Sequence, residues 1–116
     1  QKRTLSNGLI IEDLAFGPVD GKEAAAGQKV KIFYTAMSEE NGRVLDTNVG
    51  KAPWKFRLGS KGNTDGWKYG ITGMRIGDKR RLVVPPSLGR GEDGAVENVP
   101  PNSWVVYEVE LIDVKK

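Results

Sequence analysis

The chain contains no cysteine and no histidine. Without cysteine there are neither disulfides nor thiolate chemistry, which argues against a small secreted scaffold. Without histidine the usual general base, the Cys/His zinc sites and a switch near neutral pH are excluded. Also missing is any apolar run near the roughly 20 residues that a membrane-crossing helix needs. No repeat, low-complexity tract or secretory signal stands in the sequence. What remains is 116 residues, 38% of them hydrophobic, which fits one globular domain with one sizeable core. No cofactor, metal or membrane contact is expected, and the isolated domain is expected to be monomeric. The first residue is Gln1, so an upstream region is expected, with 1–8 as a polar lead-in and the domain over 9–116.

Charge is uneven along the chain. Between Lys51 and Arg90 stand ten basic residues against Asp65 and Asp78, so that segment carries +8 of a net +3. Lys51, Lys55, Arg57, Lys79 and Arg81 form the candidate partner surface, which can steer an anionic partner. A solvated sheet face has the same composition, and both readings stand.

Hydrophobic spacing supplies the elements. Leu9–Leu14 reads as an edge strand, and Gly17-Pro18, Asp20-Gly21 and Gly27 then mark turns. Lys29–Met37 alternates, with Val30, Ile32 and Tyr34 on one face. Asn41-Gly42 signals a hairpin turn into Val44–Thr47. Trp54–Leu58 has a period of two, with Trp54, Phe56 and Leu58 inward and Lys55 and Arg57 outward. Trp67, Ile71 and Met74 recur at helical spacing, with Gly77-Asp78 as the stop. Leu82 and Val84 share a face of the next strand. Pro85–Pro101 has no periodicity and reads as a long functional loop, and Trp104–Val114 is the last strand. The sum is an α+β domain of about four or five antiparallel strands and one short helix.

The inward set Tyr34, Trp54, Phe56, Trp67 and Tyr107 is rich in rings for a small core. Trp67 can be a plain core aromatic or the floor of a concave pocket. Asp46 and the hydroxyls of Tyr34 and Tyr107 would be that pocket's polar groups. Hydrolysis needs paired carboxylates or an activated nucleophile, and Glu39-Glu40 beside Asn41-Gly42 reads as a solvated turn instead. Gly89-x-Gly91 and Gly70-x-x-Gly73 lack the setting and the lysine of a phosphate loop. One reaction suits a dry aromatic cup: rotation about an X–Pro bond, which needs loss of amide resonance and no strong base.

The ordered motifs Val44-Leu45-Asp46-Thr47, Pro53-Trp54-Lys55-Phe56-Arg57-Leu58-Gly59, Gly66-Trp67, Gly73-Met74-Arg75-Ile76-Gly77-Asp78-Lys79-Arg80, Pro85-Pro86-Ser87-Leu88-Gly89 and Pro100-Pro101-Asn102-Ser103 carry a resemblance. From Leu9 through Val114 the chain resembles the FKBP-type peptidyl-prolyl cis-trans isomerases. That resemblance implies a twisted antiparallel sheet wrapped around the short helix, with Trp67 as the pocket floor and proline-containing peptides or proteins as partners. It implies catalytic roles for Tyr34, Asp46, Trp67 and Arg90, and a lining of Leu45, Trp54, Phe56, Asn63, Thr64, Val99 and Tyr107.

The chain also departs from the family pattern. Leu45 stands where a phenylalanine is usual, and Asn63-Thr64-Asp65 replaces a Val-Ile-basic stretch. Arg90 stands where the loop usually has a tyrosine whose hydroxyl meets the peptide carbonyl. A charged side chain disfavours a desolvated cup, so weak or absent isomerase activity is expected.

Arg3-Thr4-Leu5-Ser6-Asn7-Gly8-Leu9, together with Gly73-Met74-Arg75-Ile76-Gly77-Asp78-Lys79-Arg80 and Pro100-Pro101-Asn102-Ser103-Trp104, further resembles the C-terminal domain of plant nuclear FKBP proteins with a nucleoplasmin-like N-terminal part. This implies a nuclear location and a histone-chaperone-like parent. The alternative to an isomerase is then a non-catalytic module whose basic face meets histones, nucleic acid or another domain.

Overall fold

The computed structural model of the chain describes residues 2–59, 65–89 and 103–115. Seven strands are β1 (Lys2–Thr4), β2 (Ile10–Ala15), β3 (Lys29–Ser38), β4 (Val44–Thr47), β5 (Trp54–Arg57), β6 (Lys79–Val84) and β7 (Val105–Lys115). The helices are α1 (Asp65–Ile71) and a single turn, α2 (Pro86–Gly89). All pairings are antiparallel, in the order β1-β2-β6-β7-β3-β4, with β5 also on β3. The α+β architecture is therefore as expected, with more strands than periodicity revealed.

The two long strands form the spine. β3 and β7 pair from Lys29↔Lys115 to Ser38↔Val105, with one register shift between Lys31 and Ile32. Alternation works as read: Val30, Ile32, Tyr34 and Ala36 of β3 meet Val105, Tyr107, Val109 and Leu111 of β7 in one core. α1 brings Trp67 and Ile71 into that core, and Met74 follows from the turn after the helix rather than from within it. Gly66 and Gly70 let the helix lie close on β6. A Cβ on Gly70 would stand 2.4 Å from a Leu82 methyl, and one on Gly66 would stand 3.1 Å from Val84.

Three local findings differ from the sequence reading. Lys2–Thr4, expected within a polar lead-in, pairs with Ile10–Glu12, so β2 is flanked on both sides and is not the edge. Its side chains are all exposed, so no burial pattern marks it. Pro86–Gly89 forms a helical turn where only loop was expected, with the Leu88 amide donating to the Pro85 carbonyl.

Arg80 is the third. It is one of the ten basic residues of the Lys51–Arg90 segment, yet it is only 7% exposed because it shares the inward face with Leu82 and Val84. Its Nε donates to Asp13 Oδ1 at 3.0 Å, and Nη1 donates to the Gly70 and Thr72 carbonyls at 3.0 Å each. The guanidinium thus takes up orphan carbonyls at the end of α1, where a cation also suits the helix dipole.

Asp78 ties the turn after α1 to the loop after β2. Its Oδ1 accepts from the Gly17 amide at 2.7 Å and its Oδ2 from the Arg75 amide at 2.9 Å. Gly17 sits so close that a Cβ there would lie 2.2 Å from the Ile76 carbonyl oxygen. Backbone on that side cannot swing away as a side chain can. Gly17→Ala is therefore expected to cost about 1–3 kcal/mol, the usual range for overpacking. Urea unfolding would measure it, and a cost under about 0.5 kcal/mol would mean that the loop simply moves.

Among the described residues no helix is long and apolar enough to cross a membrane.

Candidate functional site

The site begins with β5. Its alternation turns Trp54 and Phe56 inward, and the two rings stack with centroids 4.0 Å apart. β3 contributes Tyr34, β7 contributes Tyr107 and α1 contributes Trp67. Trp67 is 2% exposed and lies at the centre of the cluster. Its centroid is 4.5 Å from Tyr107, 5.5 Å from Trp54, 5.8 Å from Tyr34 and 6.2 Å from Phe56. Edge and tilted contacts of this kind add about 0.5–1.5 kcal/mol per pair beyond burial. Trp54, Phe56 and Leu45 are only half-buried, so the nest keeps accessible surface on the β4–β5 side.

One polar pair is set into this apolar surround. The Tyr34 hydroxyl donates to Asp46 Oδ2 at 2.7 Å, while Asp46 Oδ1 accepts from the Thr47 amide at 2.9 Å. The carboxylate is thereby fixed on both oxygens, and the phenol is held in one orientation. Sequence reading names both residues but not what aligns them.

The aligning residue is Asn48, which that reading passed over. β3 pairs with β5 over Lys29–Ile32 and with β4 over Thr35–Met37, leaving a gap at Phe33 and Tyr34. Asn48 fills it. Its side-chain oxygen accepts from the Tyr34 amide at 2.7 Å, and its side-chain nitrogen donates to the Ile32 carbonyl at 3.1 Å. The Asn48 backbone amide donates to the Tyr34 carbonyl at 3.2 Å, and Thr47 Oγ1 donates to the same oxygen at 3.0 Å. A side-chain amide thus replaces a missing stretch of ladder directly behind the Tyr34 ring. The only sequence signal for it is an asparagine just past a strand, which is ordinary for a turn.

The structure therefore brings together Tyr34, Leu45, Asp46, Trp54, Phe56, Trp67 and Tyr107. Asn63, Thr64, Arg90 and Val99, also expected at the site, lie outside the described residues. The five surface cations do not form one face. Lys55 and Arg57 point outward from β5, and exposed Lys51 lies in the turn before it. Lys79 and Arg81 lie on β6, beyond β7 in the strand order. Arg81 is committed to Glu108 at 2.8 Å and Glu12 at 3.3 Å, and those partners hold its guanidinium pKa above the ordinary value, chiefly through the Glu108 hydrogen bond. Segment charge failed as a guide because cross-strand carboxylates lie far away in sequence.

The chemical capacity of the nest is to bind an apolar, conformationally restricted group and present it with one hydrogen-bonded acid–phenol pair. Among the described residues no cluster of acidic side chains could hold a metal ion.

Comparison with known proteins points the same way. A family model described as FKBP-type peptidyl-prolyl cis-trans isomerase matches residues 21–112. The chain is 49% identical over 115 residues, 99% of its length, to peptidyl-prolyl cis-trans isomerase FKBP53 of Arabidopsis thaliana. It is 41% identical over 115 residues, again 99% of its length, to the 46 kDa FK506-binding nuclear protein of Spodoptera frugiperda. It spans only 24% and 27% of those two proteins. Among solved structures, FkpA from Escherichia coli superposes with a TM-score of 0.82 at 34% identity, covering 98% of this chain and 51% of that one. AtFKBP13 superposes at 0.81 with 31% identity, over 100% of this chain and 99% of the other. With the nest, the sheet order and these likenesses in agreement, the chain belongs to the FKBP-type peptidyl-prolyl cis-trans isomerase family.

Proposed function

We propose that this domain accelerates cis–trans rotation about X–Pro bonds in polypeptides, at a rate reduced relative to members with an aromatic residue at position 45 and a tyrosine at position 90. The supporting observation is the ring nest around Trp67 beside the fixed Tyr34–Asp46 pair. The rotation barrier of about 18–20 kcal/mol comes from amide resonance. A proline ring held against apolar rings leaves its amide poorly solvated, which favours the twisted, less polar state over the planar one. In this reading Trp67 is the floor, Tyr34 and Asp46 orient the substrate backbone, and Leu45, Trp54, Phe56 and Tyr107 are walls. Leu45 contributes a smaller, aliphatic wall, and Arg90 brings a charge to the loop; both lower the rate.

The test is the cis-to-trans rate of a Leu-Pro or Phe-Pro peptide with and without the domain. Tyr34→Phe keeps the ring and removes one hydrogen bond, so a fall of about two- to tenfold is expected. Arg90→Tyr is expected to raise the rate by about the same factor. A folded wild-type sample without any acceleration would sink the proposal. An unchanged rate in Arg90→Tyr would remove position 90 as the reason for slow turnover.

We infer, as a second reading, that the domain also acts as a binding module within a longer nuclear protein. Relatives named as nuclear proteins, of which the chain matches about a quarter, support the location. Lysines on the outer face of β3 and β5 that make no ion pair among the described residues support the binding role. Histones, nucleic acid and other domains of the same protein are its candidate partners.

A further inference from the structure

The cations that matter lie across β5, β3 and β7. Register places Arg57 opposite Lys29 and Lys29 opposite Lys115, with Lys55 opposite Lys31 and Lys31 opposite Asp113. Directly paired residues share a face, so all six line one shallow recess of about 330 Å³ on the outside of the sheet. Five of them are basic. Strands about 4.8 Å apart and a two-residue repeat of about 6.8 Å spread these charges over roughly 10 by 7 Å.

This is not the ordinary salt-bridged exterior seen elsewhere on the same sheet. On β6, Arg81 sits between Glu12 and Glu108. On the β5–β3–β7 face, Lys29, Lys31, Lys55 and Lys115 make no ion pair among the described residues, and Asp113 is the single acid. The four lysines are gathered with Asp113 as their one acidic neighbour among the described residues, and such a concentration of like charge favours an anion.

We propose that this face binds the phosphate backbone of duplex nucleic acid without reading its sequence. The proposal deepens the binding-module reading and is independent of the isomerase one. The charges are laid out in two dimensions over three strands, so a single extended acidic segment would engage only part of them. Lysines predominate, and their swinging point charges suit phosphates better than they fix a chosen carboxylate. Val30 and Phe56, the two apolar residues of the recess, pack against the core, so among the described residues the face offers no ring for stacking single-stranded bases.

β5 explains why the two activities are compatible. Trp54 and Phe56 point into the nest while Lys55 and Arg57 point away from it. A duplex on the outer face would leave the pocket open.

The experiment is fluorescence anisotropy of a labelled 20-base-pair DNA duplex of arbitrary sequence, titrated with the domain between 50 and 200 mM salt. Three to five phosphate contacts give a log–log slope of about −2.7 to −4.5, a loss of about 40- to 500-fold in affinity across that range. Lys31→Glu with Lys55→Glu is expected to weaken binding at least about tenfold and flatten the slope. Asp113→Asn is expected to tighten it, and Lys79→Glu on β6 to leave it unchanged. Thermal unfolding establishes that each variant is folded, and Asp113→Asn tests the face even where the double reversal does not fold. Tighter binding of polyglutamate than of duplex at matched charge would overturn the nucleic-acid assignment while keeping the module. Binding of neither, or duplex binding indifferent to both variants, would overturn the face altogether.

Discussion

Trp67→Ala is expected to destabilise the domain by about 3–5 kcal/mol, the range for truncating a fully buried large aromatic. Trp67 is 2% exposed and touches four other rings, which come from three different strands. Removing the indole deletes its own burial and leaves those rings facing a void that they cannot fill. Each neighbour is anchored by its own strand, so collapse into the cavity is limited. For a domain of this size the melting temperature should fall by on the order of 10–20 °C. Trp67→Phe retains one ring and should cost roughly half as much. The pair separates two meanings of this residue. If Trp67→Phe stays folded while the cis-to-trans rate drops sharply, the indole serves as pocket floor as well as core. If stability and rate fall in proportion, the tryptophan is chiefly a core residue. A Trp67→Ala cost below about 1 kcal/mol would contradict the placement of α1 against the sheet.

Arg80→Ala should be comparably severe, at about 3–5 kcal/mol, because it strands a carboxylate that is only 10% exposed and two helix-end carbonyls at once. Asp13 would keep only Arg3, whose side chain is 43% exposed, at 3.1 Å. Arg80→Lys retains the charge but not the fork that reaches Asp13 and the Gly70 and Thr72 carbonyls together, so it should recover only part of the loss. The same contact predicts an acid response. Burial alone would push the Asp13 carboxyl up, but hydrogen bonds and charge from Arg80 and Arg3 outweigh it and hold its pKa below the ordinary 3.8. A carboxyl lowered in the folded state contributes stability that is fully present above its unfolded value and is lost as pH falls through its folded value. Wild type should therefore lose stability from about pH 4 downward, and Asp13→Asn should lack that component. Urea midpoints measured from pH 7 to pH 2 would test this. Parallel wild-type and Asp13→Asn curves would show that the pair is not coupled to folding.

The pattern of β5 illustrates what was legible in sequence. Trp-Lys-Phe-Arg states both faces of a strand in four letters, because backbone pleating enforces alternation whatever the strand pairs with. The same local rule gave the inward faces of β3 and β7. Trp67 and Ile71 announced a helix for the equivalent reason, and ordered motifs then identified the family. β1 escaped because its side chains are all exposed, leaving no contrast between faces to read.

By itself, then, the amino-acid sequence determined the family, through motifs in a fixed order, and the α+β class and the inward-facing rings, through the spacing of apolar residues within each element. Tertiary structure alone decided which charges are buried, paired or gathered. Arg80 turned inward to meet Asp13, sixty-seven positions away, and Arg81 outward to meet Glu12 and Glu108. Lys29, Lys31, Lys55, Arg57 and Lys115 came together only through strand register. Electrostatic neighbours are set by distance in space, and antiparallel pairing brings together residues whose separation along the chain carries no trace of it.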